Sequence, residues 1–263
     1  MEALNIKYED SEILLAVKPA GVAAESRRIG EKDMLSMVKT YRVERGESDY
    51  IGMVHRLDQP VGGLLLFAKT KEAAANLSKQ IQDGTMEKYY QALLCGVVEE
   101  EGELTDYLLR DGKTNISRVV EKGTPGAKKA SLKFRRIKVF SREVKSERRS
   151  LSEAGSFSEK ENAFERDGIS LAEIKLATGR HHQIRVQMAH HGFPLLGDRK
   201  YTLLPHTDGN SVSGQHFGLP QHQTSFKEDK LQGPALFAWR LKFRHPKTGK
   251  WMDFTEEPPW ILE

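Results

Sequence analysis

The order of apolar and polar residues along the chain predicts many short strands and few helices. Apolar residues alternate with polar ones or form short unbroken runs, and clusters of Gly, Pro, Asp and Ser separate these runs. Such segments are typical of strands joined by turns. Helices do not alternate strictly with them, so we predict an α+β fold with a mostly antiparallel sheet. The predicted strands are 4–8, 12–17, 52–54, 63–68, 86–98, 104–109, 115–120, 130–140, 169–177, 235–244 and 251–254.

Three segments carry residues that start and stop helices. Asp33 precedes the first and Thr70 the second, and a glycine follows each of the three. Asp and Thr side chains cap the free N–H groups of a helix N-terminus, and Gly permits the left-handed turn that ends a helix. The predicted helices are 33–45, 70–81 and 183–191.

Two segments have the composition of loops rather than of a core. Residues 146–167 lie in a stretch rich in serine and in charges of both signs, and are predicted to form a flexible insertion between two strands. Residues 207–232 are rich in Gly, Ser, Gln and His and are predicted to form a long loop. No internal repeat is visible, and residues 1–263 are predicted to form a single domain.

The overall composition is that of a globular protein of the cytoplasm. Hydrophobic residues make up 38% of the chain and charged residues 30%. The one cysteine, Cys95, excludes an intramolecular disulfide framework and fits a reducing compartment. The first residues lack the pattern of a secretion signal, and no apolar run approaches the ~18 residues that cross a bilayer. We therefore expect a cytoplasmic protein without a membrane partner.

Positive charge is concentrated in the middle of the chain. Residues 110–149 hold 14 Lys and Arg against 4 Asp and Glu, a net charge of +10. Residues 1–109 hold 13 Lys and Arg against 19 Asp and Glu, a net charge of −6, and residues 150–263 are neutral overall. Charge segregated in this way indicates a polyanionic partner, such as RNA, that contacts the middle of the chain.

The predicted strand at 130–140 interleaves apolar and basic residues. Its apolar side chains are predicted to point inward and its basic side chains largely outward, where they form a candidate surface for RNA. An ordinary solvated basic face is the alternative. The inward set is Leu132, Phe134, Ile137 and Val139, and the outward set is Lys133, Arg135, Arg136 and Lys138.

The stretch from Gly52 to Lys69 is the candidate functional site. Its sequence, GMVHRLDQPVGGLLLFAK, places Asp58 in a turn-rich segment between two apolar strands. Turns mounted on buried strands often carry binding and catalytic groups. Asp also commonly caps a turn through hydrogen bonds to nearby backbone N–H groups. Composition alone therefore leaves both a reactive and a structural carboxylate open.

Four stretches of the chain resemble motifs of the RluA-type pseudouridine synthase family. They are ILLAVKPAG at 13–21, His-Arg-Leu-Asp at 55–58 with the Gly-rich turn and strand after it, KYYQAL at 88–93, and LATGRHHQIRVQMAHHGFPLLGD at 176–198. The resemblance implies a curved mixed sheet with a central RNA-binding cleft. It also implies that the chain is an isomerase, converting uridine to pseudouridine in rRNA or tRNA. The appended RNA-binding module that often precedes the family's catalytic domain is not expected, because the predicted strands begin near residue 4.

The resemblance also assigns roles to individual residues. Asp58 is expected to act on the ribose of a flipped-out uridine, either by attacking C1′ or by removing the 2′-hydrogen to give a glycal. Arg185 is expected to pair with Asp58 and keep it ionised, and Tyr90 to stack on the uracil and help to remove the C5 proton. Arg56 is expected to fill the gap left by the flipped base. Further residues expected to contact RNA are His55, Arg180, His182, Lys133, Arg135 and Arg136.

The isomerisation needs no redox step and no external group, so no cofactor is expected. The sequence contains no GxGxxG, Walker or CxxC motif. The His181-His182 and His190-His191 pairs lack the i, i+4 spacing of zinc ligands, so no metal is expected either. The expected partner is RNA, and the chain is expected to be a monomer.

Two functions of other classes are compatible with the same cleft. A non-catalytic RNA-binding protein is the first, although it would have no need to combine Asp58, Tyr90 and Arg185. The second is a glycoside hydrolase that cuts a nucleoside bond. Such enzymes usually need two carboxylates about 5–10 Å apart, and the motifs are not expected to supply a second acid. Release of free uracil from RNA would distinguish the hydrolase from the isomerase.

Overall fold

The structure is a computed structural model that describes residues 4–26, 30–141, 168–201, 231 and 233–260. Every predicted helix and strand is present in it, with boundaries that differ by a few residues. The helices are α1 (Met34–Glu44), α2 (Lys71–Gln82) and α3 (Gln183–His190). The strands are β1 (Asn5–Glu9), β2 (Ile13–Lys18), β3 (Gly52–Met53), β4 (Gly62–Ala68), β5 (Glu87–Cys95), β6 (Glu101–Asp111), β7 (Ile116–Val120), β8 (Lys128–Ser141), β9 (Gly168–Leu176), β10 (Leu236–Arg244) and β11 (Trp251–Thr255).

The strands of the described residues form one sheet. Its order is β1-β2-β4-β10-β5-β9-β8-β6-β7, with β3 paired to β4 and β11 paired to β10. The β4–β10 pair is parallel, whereas the other pairs within the described residues are antiparallel. The predicted α+β class with a mostly antiparallel sheet is therefore confirmed. Because β10 lies between β4 and β5, it joins the strand that follows the His-Arg-Leu-Asp motif to the strand that carries KYYQAL.

The two faces of the sheet are named here after Tyr89 and Tyr90, which are adjacent on β5 and point to opposite sides. On the Tyr90 face, Tyr90 and Ile174 pack in one core cluster with Val38 of α1 and Ile184 of α3. The Tyr89 face is covered by a second cluster in which α2 packs against β2 and β4. Helices α1 and α3 therefore lie on the same side of the sheet as Tyr90.

The predicted caps of α1 and α2 are confirmed. The Asp33 side chain accepts a hydrogen bond from the Ser36 N–H at 2.7 Å, and the Ser36 hydroxyl oxygen accepts one from the Asp33 N–H at 3.2 Å. The Thr70 hydroxyl accepts from the Ala73 N–H at 3.1 Å. Each such cap typically stabilises a helix by about 1 kcal/mol, so the sequence pattern acts directly at these ends.

A bulge in β8 corrects the predicted direction of Ile137. Arg136 pairs with Ala172 and Lys138 pairs with Leu171, so Ile137 is an extra residue in the ladder. Ile137 is 46% exposed, and the prediction that it points inward is wrong. The alternation of residue types could not reveal the bulge, because the register shift depends on pairing with β9.

The two predicted loop segments lie outside the described residues, except for Leu231. In the chain, the 146–167 segment connects β8 to β9, and the 207–232 segment precedes β10. The assignment of residues 1–263 to a single domain stays a prediction. None of the helices in the described ranges is long and apolar enough to cross a membrane.

Candidate active site

Asp58 lies in the loop between β3 and β4, which is held from two sides. The Val61 N–H donates to the Asp58 carbonyl at 2.9 Å and forms a turn at the start of the buried strand β4. The next residue, Gln59, is tied to the turn after β2, since its carbonyl accepts from the Gly21 N–H at 2.9 Å and its side chain donates to the Gly21 carbonyl at 3.0 Å. Two motifs that are distant in sequence therefore form one rigid mount for the Asp58 side chain.

Lys18 is a site residue that the sequence analysis missed. Its side chain is fully buried, and its ammonium group donates to the carbonyls of Pro19, Val22 and Gln59. Three carbonyl acceptors match the three N–H bonds of an ammonium group. Burial lowers the pKa of Lys18 to about 7, and the Asp58 carboxylate opposes that shift. In the sequence, the only indication that Lys18 is buried near Asp58 was its position at the end of an apolar strand.

His55 is fixed by β4 rather than directed at solvent. Its Nε2 atom accepts a hydrogen bond from the Leu66 N–H at 3.1 Å, so the ring proton is assigned to Nδ1. Nδ1 is buried and has no hydrogen-bond partner among the described residues. Burial, with a contribution from the Lys88 ammonium group, lowers the pKa of His55 to about 3. A contact of His55 with RNA stays a prediction.

Arg185 contacts Asp58, but its principal partner is Asp198. The distance from Arg185 Nη1 to Asp58 Oδ2 is 3.6 Å. Arg185 Nε and Nη2 each donate to an Asp198 oxygen at 2.7 Å, which makes a bidentate pair. Asp198 is 1% exposed and Arg185 is 5% exposed. The expected meeting of Arg185 with Asp58 is found, although the guanidinium is shared with a second acid.

Asp198 also corrects the expectation that the motifs supply no second carboxylate. It is the last residue of the 176–198 stretch, and it accepts from the Lys200 N–H at 3.0 Å in addition to Arg185. Its oxygens are therefore engaged in holding Arg185, unlike those of a free general acid or base. The position of Asp198 in the sequence did not indicate that it pairs with Arg185.

Burial decides the direction in which the pKa of Asp58 shifts. Burial raises the pKa of the Asp58 carboxyl above its ordinary value of 3.8, and Asp198 adds to the increase. Arg185 and Lys18 act in the opposite direction without cancelling it. Arg185 favours the charged form of Asp58, as expected, although desolvation outweighs the effect of an ion pair at 3.6 Å. That Arg185 keeps Asp58 ionised stays a prediction.

His182 connects Asp58 to the buried Tyr201. Its Nε2 atom is 3.6 Å from Asp58 Oδ2, and its Nδ1 atom is 2.6 Å from the Tyr201 hydroxyl oxygen. Burial and the nearby Arg185 lower the pKa of His182 to about 2, so the ring is neutral. The backbone of His182 has φ 54°, a left-handed conformation uncommon for a residue other than Gly and frequent at functional sites.

Tyr90 lies on the same face as α3 and is 7% exposed. It packs in the core cluster that also contains Leu57 and Ile184, which are neighbours in sequence of Asp58 and Arg185. Burial raises the pKa of Tyr90, and the Asp58 carboxylate adds to the increase. The phenol is therefore neutral and electrostatically coupled to Asp58.

Two of the predicted RNA-contacting arginines border this group. Arg56 is exposed and is close enough to His181 to affect its pKa. Arg180 is also exposed, and its Nε donates to the Lys129 carbonyl at 2.9 Å. The loop that carries Arg180 is held by Gln183, whose side-chain oxygen accepts from the Arg180 N–H at 3.0 Å.

The structure places Lys133 and Arg135 away from Asp58. Their neighbour Phe134 pairs with Ile174, which pairs with Tyr90, so Phe134 lies on the Tyr90 face. Lys133 and Arg135 therefore point to the Tyr89 face. The Arg136 side chain donates to the Val98 carbonyl. Binding of RNA by these three residues stays a prediction, and the structure places Lys133 and Arg135 on the face opposite the Asp58 group.

Comparison with known proteins identifies the family. A model of the RNA pseudouridylate synthase family matches residues 12–190. The chain is 30% identical over 260 residues to the ribosomal large subunit pseudouridine synthase D of Neisseria meningitidis, which covers 98% of this chain and 59% of the relative. It is also 30% identical over 247 residues to the tRNA pseudouridine synthase C of Vibrio vulnificus, which covers 93% of this chain and 86% of the relative. The chain thus spans about three fifths of the length of the Neisseria relative.

A solved structure shows the same fold. The human RNA pseudouridylate synthase domain containing 1 is similar with a TM-score of 0.64 and 22% identity over 99% of this chain and 85% of that one. The fold is therefore that of the pseudouridylate synthases, as the motifs indicated. The matched range contains the loop of Asp58, the strand of Tyr90 and all of α3. The chain belongs to the RNA pseudouridylate synthase family.

Proposed function

We propose that this chain isomerises uridine to pseudouridine in a structured RNA, either rRNA or tRNA. The observation that carries the proposal is the Asp58 carboxylate, which is 26% exposed and lies 3.6 Å from a buried arginine. A reactive carboxylate needs access to its substrate and a cation that favours its charged form. The substrate class is supported by relatives that are named for ribosomal and transfer RNA.

The proposed reaction is balanced without a cofactor. The bond between uracil N1 and ribose C1′ breaks, the base turns, and a bond forms between C5 and C1′. C5 then loses its hydrogen as a proton and N1 gains a proton. Asp58 starts the sequence by one of two routes. It either attacks C1′ and is displaced when C5 bonds to C1′, or it removes the 2′-hydrogen as a proton to give a glycal and returns that proton to C2′ when C5 bonds to C1′. Both routes require the ionised carboxylate.

The neighbours of Asp58 are proposed to position the flipped nucleotide. Tyr90 stacks on the uracil, since a phenol whose pKa is raised by burial is better suited to stacking than to removing a proton. Arg185 and Lys18 favour the charged carboxylate. Arg56, which is exposed beside the site, fills the space that the base leaves. The exposed Arg180 is proposed as a nearby contact of the RNA backbone. Contacts of His182 and His55 with RNA are kept as secondary proposals, because His182 is 8% exposed and the His55 ring nitrogens are held inside the protein.

Lys133, Arg135 and Arg136 are kept as a proposed secondary contact with RNA. Lys133 is 3.2 Å from Glu103 and Arg135 is 3.3 Å from Glu173, so local carboxylates offset much of their charge. Because Lys133 and Arg135 lie on the Tyr89 face, an RNA in the Asp58 site would reach them only by extending around the sheet. We expect their contribution to be smaller than the sequence indicated.

The experiment is to incubate the purified protein with rRNA and tRNA from cells that lack the gene. Pseudouridine is mapped by carbodiimide modification, and free uracil is measured by mass spectrometry. We expect new pseudouridines with the unmodified protein and none with Asp58→Asn. Asp49→Asn is the matched control, because Asp49 is an exposed aspartate shortly before β3 and its loss should leave the activity intact.

The other outcomes contradict the proposal in distinct ways. Release of uracil would identify a hydrolase, and tight binding of unaltered RNA would identify a non-catalytic RNA-binding protein. Pseudouridine formation by the pure Asp58→Asn protein would remove Asp58 from the reaction.

A further inference from the structure

A pocket with a positively charged lining lies beside the Asp58 group. It has a volume of about 260 Å³ and is formed where β6, β7 and the start of β8 meet the loop before α3. None of the described residues that line it is acidic. Its polar side chains are those of Arg110, Ser117, Lys128, Arg180 and His181.

The strand register places this pocket on the same face of the sheet as Tyr90. Lys128 pairs with Leu108, which belongs to the core cluster that contains Val186 of α3. Arg110 is two residues from Leu108 on β6 and pairs with Ser117 on β7. The pocket and the Asp58 group therefore open on one side of the molecule, unlike Lys133 and Arg135.

The His181 ring, which lines the pocket, lies between the pocket and His182, the residue next to Asp58. The ring of His181 stacks on the ring of His182 with a centroid distance of 3.7 Å. His182 Nε2 lies 3.6 Å from Asp58 Oδ2. On the other side, His181 Nδ1 is 2.9 Å from the Ser117 hydroxyl oxygen. A group bound in the pocket would thus be adjacent to a nucleotide held at Asp58.

Within the part of the chain that the structure describes, the two guanidinium groups of the pocket are fixed by contacts that leave further N–H bonds for a ligand. Arg180 uses Nε to reach the Lys129 carbonyl at 2.9 Å, and Arg110 uses Nη2 to reach Asn115 Oδ1 at 2.8 Å. A guanidinium has five N–H bonds. Planar guanidinium groups with two free N–H bonds suit the oxygens of a phosphate.

The pKa of His181 reflects the positive charges around the pocket. Burial lowers the pKa of His181 to about 4, and the charges of Arg110, Lys200, Arg185 and Arg56 add to the decrease. Asp58 and Asp198 lie against Arg185, whereas no acidic residue of the described set lines the pocket itself. The positive charge there is consequently available to an anion.

We propose that this pocket binds a phosphodiester of the RNA substrate next to the nucleotide that enters the Asp58 site. The inference rests on the proposed function, because it takes RNA as the ligand. A phosphodiester supplies the anionic oxygens that Arg110, Lys128 and Arg180 are placed to bind. The buried Ser117 hydroxyl holds the His181 ring beside them. Contacts with phosphate fix the position of the RNA without reading its sequence.

The first test measures RNA binding as a function of salt in the Asp58→Asn protein, which separates binding from chemistry. Arg110→Gln combined with Lys128→Gln removes two exposed cations of the pocket. The slope of log K against log salt should fall by about 0.7–0.9 for each lost phosphate contact. The matched control is Arg118→Gln with Lys129→Gln, which removes two exposed charges from the opposite face of the same strands. The control should leave the slope unchanged, and an equal fall in both proteins would overturn the proposal.

The second test follows the His181 ring by NMR, with the signal assigned from a His181→Asn protein. The probes are the dinucleotide UpU, which has an internal phosphodiester alone, uridine 5′-monophosphate and inorganic phosphate. We expect UpU to raise the His181 pKa in the unmodified protein and to leave it unchanged in the Arg110→Gln, Lys128→Gln protein. A response to the monophosphate or inorganic phosphate without a response to UpU would identify a site for terminal phosphate and overturn the proposal, as would no response to any probe.

These results are independent of the test of the proposed function. If the protein forms no pseudouridine but shows both pocket effects, the proposed phosphate site is supported and the proposed activity is contradicted. If the protein forms pseudouridine but the pocket and control variants behave alike, the proposed activity is supported and the proposed phosphate site is contradicted.

Discussion

The charge state of one residue, Asp58, controls the chemistry proposed for this site. Its carboxyl is buried enough for the pKa to rise above 3.8 despite the nearby Arg185 and Lys18. Arg185 is engaged more closely by Asp198, at 2.7 Å, than by Asp58, at 3.6 Å. A carboxylate that is only partly neutralised keeps its reactivity towards a substrate, and the second carboxylate holds the guanidinium in place.

We expect Asp58→Asn to stabilise the protein at neutral pH while it removes activity. Because the pKa of Asp58 is raised on folding, the folded state binds more protons than the unfolded state between the two pKa values, and ionisation of Asp58 opposes folding. That destabilisation is complete above the folded pKa and disappears as the pH falls to the ordinary value of 3.8. The gain in unfolding free energy should therefore be largest at neutral pH and fade in acid.

Urea unfolding of both proteins across this pH range measures the effect. The activity of the unmodified protein should decrease as the pH falls through the same folded pKa. A variant less stable than the unmodified protein at neutral pH would show that the pairs with Arg185 and Lys18 outweigh burial.

Replacing Arg185 by Met should destabilise the protein by about 3–5 kcal/mol, because it leaves buried carboxylates without their cation. A second change, Asp198→Asn, should restore more of that loss than Asp58→Asn does. The reason is that Asp198 is 1% exposed and makes the bidentate contact. Double-mutant cycles from urea unfolding give both coupling energies. Greater restoration by Asp58→Asn would make Asp58 the principal partner of Arg185.

At the scale of secondary structure, the contact between β4 and β10 determines where the Asp58 loop ends and β4 begins. Gly63 pairs with Ala238 at the start of β4 and has φ +121°. A Cβ atom on Gly63 would lie 2.4 Å from the Ala238 carbonyl oxygen and 2.5 Å from the Ala238 nitrogen. Since both neighbours are backbone atoms, neither can turn away as a side chain could.

A strained backbone conformation alone costs roughly 1–3 kcal/mol. Gly63→Ala is therefore expected to destabilise the protein by more than this amount, because the new Cβ atom would also clash with Ala238. Gly112→Ala is the control, since Gly112 has open space around its Cβ position and should change stability by less than about 0.5 kcal/mol. Thermal unfolding of the two variants provides the measurement. Equal stability of the two variants would show that β4 and β10 can separate without loss.

At the scale of the whole molecule, basic residues close together in sequence are divided between two faces of the sheet. Arg110 and Lys128 lie on the Tyr90 face with the Asp58 group, whereas Lys133 and Arg135 lie on the Tyr89 face. The latter two pair with Glu103 and Glu173. A net charge calculated along the chain cannot distinguish these surfaces.

Lys133→Gln combined with Arg135→Gln should reduce the salt dependence of RNA binding by less than the Arg110→Gln, Lys128→Gln pair does. Both variants lose two positive charges, but only the second loses them beside the proposed site of the target nucleotide. Binding assays over a range of salt concentrations compare the slopes directly. A larger effect of the Lys133 and Arg135 changes would place the main RNA surface on the Tyr89 face.

The sequence by itself determined the helices, the strands to within a few residues, and the family. Strand alternation and the caps at Asp33 and Thr70 are local effects, so they act within a few residues of the chain. The motifs around Asp58, Tyr90 and Arg185 are also read within short stretches, and these led to the family that the comparison confirmed.

Only the tertiary structure decided which charges meet and how deeply they are buried. The pairing of Arg185 with Asp198, the burial of Lys18, the bulge at Ile137 and the sign of the Asp58 pKa shift all depend on segments distant in the chain. Desolvation and ion pairing depend on distance in space, and the sheet sets those distances by inserting β10 between β4 and β5. A sequence pattern identifies the groups of a site, whereas their packing determines the balance of charge among them.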